Sequence, residues 1–235
     1  MTAFVVDPPA QPFVEVMGGG RFPVRRIFCI GRNYADHVKE MGGDPKAQKP
    51  VFFTKPADAV APSGSVIPYP PGTEDFHFEG ELVLALKAGG RDIPDPAAAA
   101  SLIFGCAAGC DLTRRDLQAA AKKGGAPWDA AKAFDLSAPV GPIARVGDAP
   151  VEALMGSRLR LSVNGATRQD GALSAMIWSA PEILIALSRL FELRPGDLVF
   201  TGTPEGVGPL AVGDRVEVEI GPLQRLDFTI GPARA

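Results

Sequence analysis

FHFEGELVLAL, residues 76–86, sets two acids two positions apart at the head of an apolar run. Glu79 and Glu81 flank Gly80, and Leu82 to Leu86 follow without a polar residue. A short apolar run of this kind reads as a buried strand. Residues two apart in a strand share a face, about 6.5–7 Å from one another. Glu79 and Glu81 therefore point one way, and Phe78, Leu82 and Leu84 the other. Two parallel carboxylates repel unless something positive lies between them; a cation held by each at about 2.0–2.6 Å removes the conflict. Gly80 takes away the intervening side chain and suits a bulge that tilts the acids together. On this stretch alone the competing reading, a solvated strand edge charged against aggregation, stays open.

Outward from this strand, further strands are predicted near 24–30, 51–54, 158–163, 197–201, 214–220 and 225–230, with Asn164-Gly165 as a tight hairpin turn. In DRVEVEI (214–220) charges alternate with valine and isoleucine, which leaves one face wet. Helices are expected at 34–41 with Asn33 as its cap, at 96–104 and at 112–123. Another should follow Ser179-Ala-Pro-Glu182, an N-cap with an early proline and an acid at the third helical position. Strands outnumber helices and do not alternate with them, so the chain is α+β, mainly β, around a largely antiparallel core and not a doubly wound sheet. The 27 glycines and 23 prolines agree with many turns. At 235 residues one domain suffices: an N-terminal arm over 1–20, ending in Gly18-Gly19-Gly20, and a single domain over 21–235.

The net charge of −3 and the lack of a Lys/Arg run argue against nucleic acid as a partner. The opening MTAFVVDPPAQPFVEV has no basic segment before its apolar stretch, and no window approaches the roughly 18 apolar residues of a membrane span. Three cysteines make no disulfide framework; Cys106 and Cys110 read as buried thiols. A cytoplasmic protein is expected.

Asp111 supplies a third acid. It follows GCAAGC (105–110) and precedes LTRRDLQ, where it either caps a helix or joins Glu79 and Glu81. Asp111, Arg115 and Gln118 fall at i, i+4 and i+7, one helical face that pairs an acid with two groups suited to a carboxylate. Three hard oxygen ligands without cysteine point to Mg²⁺ or Mn²⁺ and away from zinc. His37 and Glu40 in DHVKE are i and i+3, so the carboxylate can orient the imidazole as a general base; a surface ion pair is the alternative. His77 is read as structural or as a support to the site. Lys132, flanked by apolar residues in WDAAKAFD, reads as a buried cation facing an anionic substrate. The turn Thr201–Gly208 lacks the Lys-Ser/Thr ending of a phosphate loop. Its backbone N–H groups, including that of Gly202, and the Thr203 hydroxyl suit a small carboxylate instead.

These pieces occur together in GRNYADHVKEMG (31–42), FFTKPADAV (52–60), DFHFEGELVLAL (75–86), GCDLTRRDLQ (109–118), PWDAAKAFD (127–135), VNGATRQDG (163–171) and DLVFTGTPEGVGPL (197–210). From about Phe22 onward the chain resembles the fumarylacetoacetate hydrolase family and, within it, the bacterial fumarylpyruvate hydrolase branch. The Arg114–Arg115 pair leans the same way. The resemblance implies a β-sandwich roll and a homodimer. It implies a divalent metal on Glu79, Glu81 and Asp111, a base dyad of His37 and Glu40, a substrate-facing Lys132, and substrate contacts from Arg115, Gln118, Thr203 and Gly202. The implied activity is hydrolysis of a carbon–carbon bond in a 2,4-diketo acid, fumarylpyruvate to fumarate and pyruvate. An acylpyruvase, an oxaloacetate decarboxylase or a 2-hydroxymuconate-type isomerase on the same site are the alternatives. Gly80 departs from the family, which more often has a branched apolar residue there. Residues 41–50 and the arm are expected to bear on substrate choice.

Overall fold

The computed structural model describes residues 4–40 and 50–234, so the 41–49 part of the expected specificity segment lies outside the described residues. The apolar run becomes the strand Gly80–Leu86, every residue of it buried. It lies in the largest sheet, whose order is Val51–Lys55, Arg26–Gly31, Asp197–Phe200, Gly80–Leu86, Ile103–Cys110, Ala138–Val140, Val60–Pro62, with Ala144–Arg145 added beside Ile103–Cys110. A five-stranded sheet packs against it: Ala166–Ala172, Arg158–Val163, Arg215–Ile220, Leu226–Gly231, Ser65–Pro68. Most pairings are antiparallel; Asp197–Phe200 runs parallel to Arg26–Gly31, Ala138–Val140 to Val60–Pro62, and Leu226–Gly231 to Ser65–Pro68. The fold is mostly β with few helices, the curled-sheet architecture expected.

Alternation along the central strand explains its uninterrupted apolarity. Leu82, Leu84 and Leu86 enter the core shared with Leu159, Leu161, Val216, Val218 and the helix Ala180–Leu190. Val83 and Ala85 enter a second core with Ile27, Leu198 and Phe200. That second core is closed from outside by Val14, Val16 and Phe22, carried by the pair Phe13–Glu15 and Arg21–Pro23. Each fully buried Leu, Val or Ile contributes about 1.5–3 kcal/mol, so from Leu82 to Leu86, where both faces are covered, the strand has no position for a polar residue; Glu81 stands before that stretch, at the strand's mouth.

Local signals read from sequence hold in several places. Asn164 (φ 52°) and Gly165 (φ 79°) turn Arg158–Val163 into Ala166–Ala172. At the head of Ala180–Leu190 the Ser179 N–H and hydroxyl both donate to the Glu182 carboxylate, at 2.8 and 2.7 Å.

Three local expectations are corrected. The helix expected over 96–104 stops at Ser101, and Ile103–Cys110, which includes GCAAGC, is a strand. Its small residues carry no period of their own; the ladder with Gly80–Leu86 makes it a strand. The helix expected over 112–123 begins at Arg115, because Thr113–Arg114 pairs with Phe76–Phe78. Asn33 does not cap the helix Ala35–Glu40. Its amide donates to the carbonyls of Thr201 and Trp178 at 2.7 and 3.0 Å and accepts from the Trp178 N–H at 2.7 Å. No helix among the described residues is long and apolar enough to cross a membrane.

Candidate active site

Strand register assembles the acids. Gly80 pairs with Cys110 in the antiparallel ladder, which places the residue before one strand beside the residue after the other, and the Asp111 N–H donates to the Glu79 carbonyl at 2.8 Å. Glu79 itself lies in neither strand: Phe76–Phe78 belongs to a small three-stranded sheet and Gly80–Leu86 to the large one. The chain changes sheets at Glu79, and that break turns two strand neighbours toward one centre. Carboxylate oxygens of Glu79, Glu81 and Asp111 all lie within 4.8 Å of one another, and all three residues are buried. Asp111 precedes the helix instead of sharing its face, so only Arg115 and Gln118 remain helical neighbours, joined by Arg115 Nη1 donating to Gln118 Oε1 at 2.7 Å.

Such a cluster survives only with counter-charge. Lys132 Nζ lies 2.8 Å from Glu79 Oε2, 2.6 Å from Asp111 Oδ2 and 2.6 Å from Thr113 Oγ1. Arg115 Nη2 reaches Glu79 Oε1 at 2.5 Å. Lys55 Nζ lies 2.8 Å from Asp111 Oδ1 and donates to the Leu112 and Lys132 carbonyls. Burial pushes the Glu79 carboxyl up, but Lys132 and Arg115 outweigh it and hold it well below the usual carboxylate range. Glu81 goes the other way: burial and then the charges of Asp111 and Glu79 raise it well above that range, opposed by the Gly202 N–H, which donates to Glu81 Oε2 at 2.7 Å. Burial pulls the Lys132 ammonium down, and Asp111 and Glu79 more than restore it.

The donor set fits a hard divalent cation. All three ligands are carboxylates, and the nearby Cys29 thiol is pushed well up by burial, so it stays protonated. Asp111 Oδ1 is buried and receives no aligned hydrogen bond despite the nearby Lys55. Octahedral ligands about 2.1 Å from Mg²⁺ lie roughly 3–4 Å apart, a small contraction of the separations present.

The remaining candidates arrive from strand ends at the same edge of the large sheet. Arg26–Gly31 leads into Ala35–Glu40, where His37 Nδ1 lies 3.0 Å from Glu40 Oε2. Asp197–Phe200 leads into the loop carrying Gly202 and Thr203, and the Gly206 N–H donates to Glu40 Oε1 at 3.1 Å. Gly202 (φ 91°) has to be glycine: a Cβ there would stand 2.7 Å from Asn33 Cβ. His37, Thr203, Gln118, Arg115 and Lys132 line one cavity of about 140 Å³ together with the three acids. Gly202 presents its N–H to Glu81 rather than to this space.

Three residues escaped the sequence reading. Lys55 lies in an ordinary strand pattern. Gln169 is buried; it accepts the Gly80 N–H at 2.9 Å and donates to Thr203 Oγ1 and the Pro204 carbonyl at 2.8 Å, tying the acid pair to the loop. Its strand alternates wet and dry residues, and an inward glutamine there was the available signal. Lys122 lines the cavity at its exposed side. His77, read as a support, accepts from Arg115 Nε at 3.4 Å and pairs with Asp75 at 2.7 Å.

Residues 26–232 match the family described as Fumarylacetoacetate (FAA) hydrolase C-terminal. The chain is 42% identical over 206 residues, 88% of its length and 91% of the relative's, to the mitochondrial oxaloacetate tautomerase FAHD1 of Mus musculus. It is 39% identical over 191 residues, 81% of its length and 97% of the relative's, to the fumarylpyruvate hydrolase of Ralstonia sp.. The crystal structure of fumarylpyruvate hydrolase from Pseudomonas aeruginosa in complex with Mn²⁺ and pyruvate superposes with a TM-score of 0.95 at 43% identity, covering 98% of this chain and all of that one.

Proposed function

The chain belongs to the fumarylacetoacetate hydrolase family, and from that premise we propose that it is a divalent-metal-dependent hydrolase of 2,4-diketo acids, with fumarylpyruvate cleaved to fumarate and pyruvate. The observation that carries the reading is the His37–Glu40 pair, 3.0 Å apart, opening onto the same cavity as three gathered carboxylates. Mg²⁺ or Mn²⁺ on Glu79, Glu81 and Asp111 would supply Lewis-acid stabilisation of negative charge on the pyruvyl half of the substrate. Glu40, fixed by the Gly206 N–H, orients the imidazole, and His37 takes a proton from water as it attacks the C4 carbonyl. The C3–C4 bond then breaks, the C4 half leaves as a carboxylic acid and C3 takes a proton to complete pyruvate. Lys132, charged and central, is placed to steady the oxyanion or to deliver that proton. Arg115, held by Gln118 and His77, and Thr203, held by Gln169, receive the substrate's oxygens.

The likeness to an oxaloacetate tautomerase supports a second reading, in which the same dyad only shifts a proton between the keto and enol forms. Turnover in H₂¹⁸O separates them. Hydrolysis places one ¹⁸O in the acid released from C4, whereas tautomerisation of oxaloacetate releases no acid and breaks no carbon–carbon bond. Absence of labelled acid with any diketo acid, alongside rapid oxaloacetate enol–keto exchange, would overturn the hydrolase reading. The same proposal makes the protein a cytoplasmic homodimer, checked by light scattering against the 24.6 kDa chain mass.

A further inference from the structure

Among the described residues, Lys122 is a cation of the cavity that pairs with none of its three acids. Glu79 and Asp111 are in contact with Lys132, Arg115 and Lys55, and Glu81 accepts from the Gly202 N–H. Two more cations, Arg32 and Lys122, line the same cavity from its exposed side. Lys122 lies on the helix Arg115–Gly124 at the seventh position after Arg115, so Arg115, Gln118 and Lys122 share one face. Seven residues at about 1.5 Å each carry that face about 10 Å along the axis, from the buried acids toward the mouth. The Lys122 ammonium rests 5.2 Å above the Trp128 ring, and among the described residues no carboxylate pairs with it. Trp128 packs on Phe53, ring centroids 5.7 Å apart, and the two form an apolar wall of the cavity. Arg32 holds a left-handed backbone (φ 64°), a conformation a non-glycine residue keeps only where its surroundings enforce it. Burial against the neighbouring side chains, then the positive charge of Arg115, lowers the Lys122 ammonium to about 8, a repulsion that an incoming anion relieves.

Resting on the function proposed above, we infer that Lys122, steadied on Trp128, is the residue that binds the distal carboxylate of such a substrate, and so sets the preference for a six- or seven-carbon dicarboxylate over a monocarboxylate of equal length. With C–C bonds near 1.5 Å, such a chain spans about 6–8 Å between carboxyl carbons, against about 4 Å for a four-carbon acid. The longer chain bridges from the acid cluster to the lysine along the apolar Phe53–Trp128 wall; the shorter one does not.

Binding tests this without requiring turnover. The probes are 2-oxoadipate and 2-oxohexanoate, equal in length and differing only in the distal carboxylate, titrated calorimetrically into the Mn²⁺-loaded protein. The wild type should prefer 2-oxoadipate by about tenfold, the low end for a charge-assisted contact at a part-exposed site. Lys122→Met should abolish the preference without weakening 2-oxohexanoate, and Lys122→Arg should keep most of it. Equal affinities in the wild type, or an equal loss of both ligands in Lys122→Met, overturns the inference. The hydrolase reading fails separately, through the ¹⁸O experiment, and can fail while the 2-oxoadipate preference stands.

Discussion

Replacing Gly80 by valine inserts three carbons into the tightest part of the site. A Cβ at Gly80 would meet Leu161 Cδ1 at 3.1 Å, Leu159 Cδ2 at 3.2 Å and Gln169 Oε1 at 3.3 Å. Alanine asks these neighbours to yield by a few tenths of an ångström; the two further methyls of valine ask for more in a core with no spare volume. Overpacking of this kind costs about 1–3 kcal/mol. Loss of glycine's freedom in the unfolded chain returns about 0.4–1 kcal/mol. The net destabilisation is about 1–2 kcal/mol, which for a chain of this size lowers Tm by about 2–8 °C. Displacing Gln169 also strains its bond to the Gly80 N–H, at 2.9 Å the support between the two glutamates, so Mn²⁺ affinity should fall by about tenfold, or ~1.4 kcal/mol. Scanning calorimetry and Mn²⁺ titration by electron paramagnetic resonance read the two effects. Trimming the partner, Gly80→Val with Leu161→Ala, should recover part of the metal affinity, since adjacent sites couple. If Gly80→Val alone melts at or above the wild type and binds Mn²⁺ as tightly, packing by Leu159 and Leu161 is not why this position is glycine.

Lys132→Met leaves Glu79 and Asp111 without their shared ammonium and should destabilise the metal-free protein by about 3–5 kcal/mol; calorimetry with Mn²⁺ should show a smaller loss, and equal losses with and without metal would refute the shared-charge account. His37→Ala should lower kcat by about 10²–10⁴-fold while 2-oxoadipate binding stays within twofold, and retained turnover removes His37 from the base role. A lysine lowered to about 8 is charged below that pH and neutral above it, so 2-oxoadipate binding should weaken as pH rises through 8 while 2-oxohexanoate binding does not. Lys122 faces Arg115, Glu79, Lys132 and Arg32, and Lys122→Arg, charged throughout, should flatten that difference. Removing one of the three carboxylates should abolish the response to metal: Glu81→Gln should lose the thermal stabilisation by Mn²⁺, about 2.7 kcal/mol at a hundred times Kd in the wild type.

Most of the sheet was legible because alternation and turn chemistry are local. Arg158–Val163 and Arg215–Ile220 show a wet and a dry face in their own letters, Asn164-Gly165 states a turn, and Ser179 with Glu182 states a helix start. Ile103–Cys110 was not legible: its alanines, glycines and cysteines are small enough to lie between two packed neighbours, and small residues announce neither period. Asn33 was misread because a cap and a cross-link use the same amide, and the partners that decide, Thr201 and Trp178, lie far along the chain.

Residue chemistry was written in the chain itself: three hard acids, one histidine with a glutamate a turn away, and a lysine in apolar surroundings already point to a site for a divalent ion. Where those groups stand relative to one another was settled by the tertiary structure alone. Gly80 opposite Cys110, the change of sheet at Glu79, and Gln169 clamping Gly80 to Thr203 are products of strand register and packing between segments far apart in the chain, 89 residues for Gly80 and Gln169. Register depends on which buried faces fit together, a property of pairs of strands, and no single strand carries it.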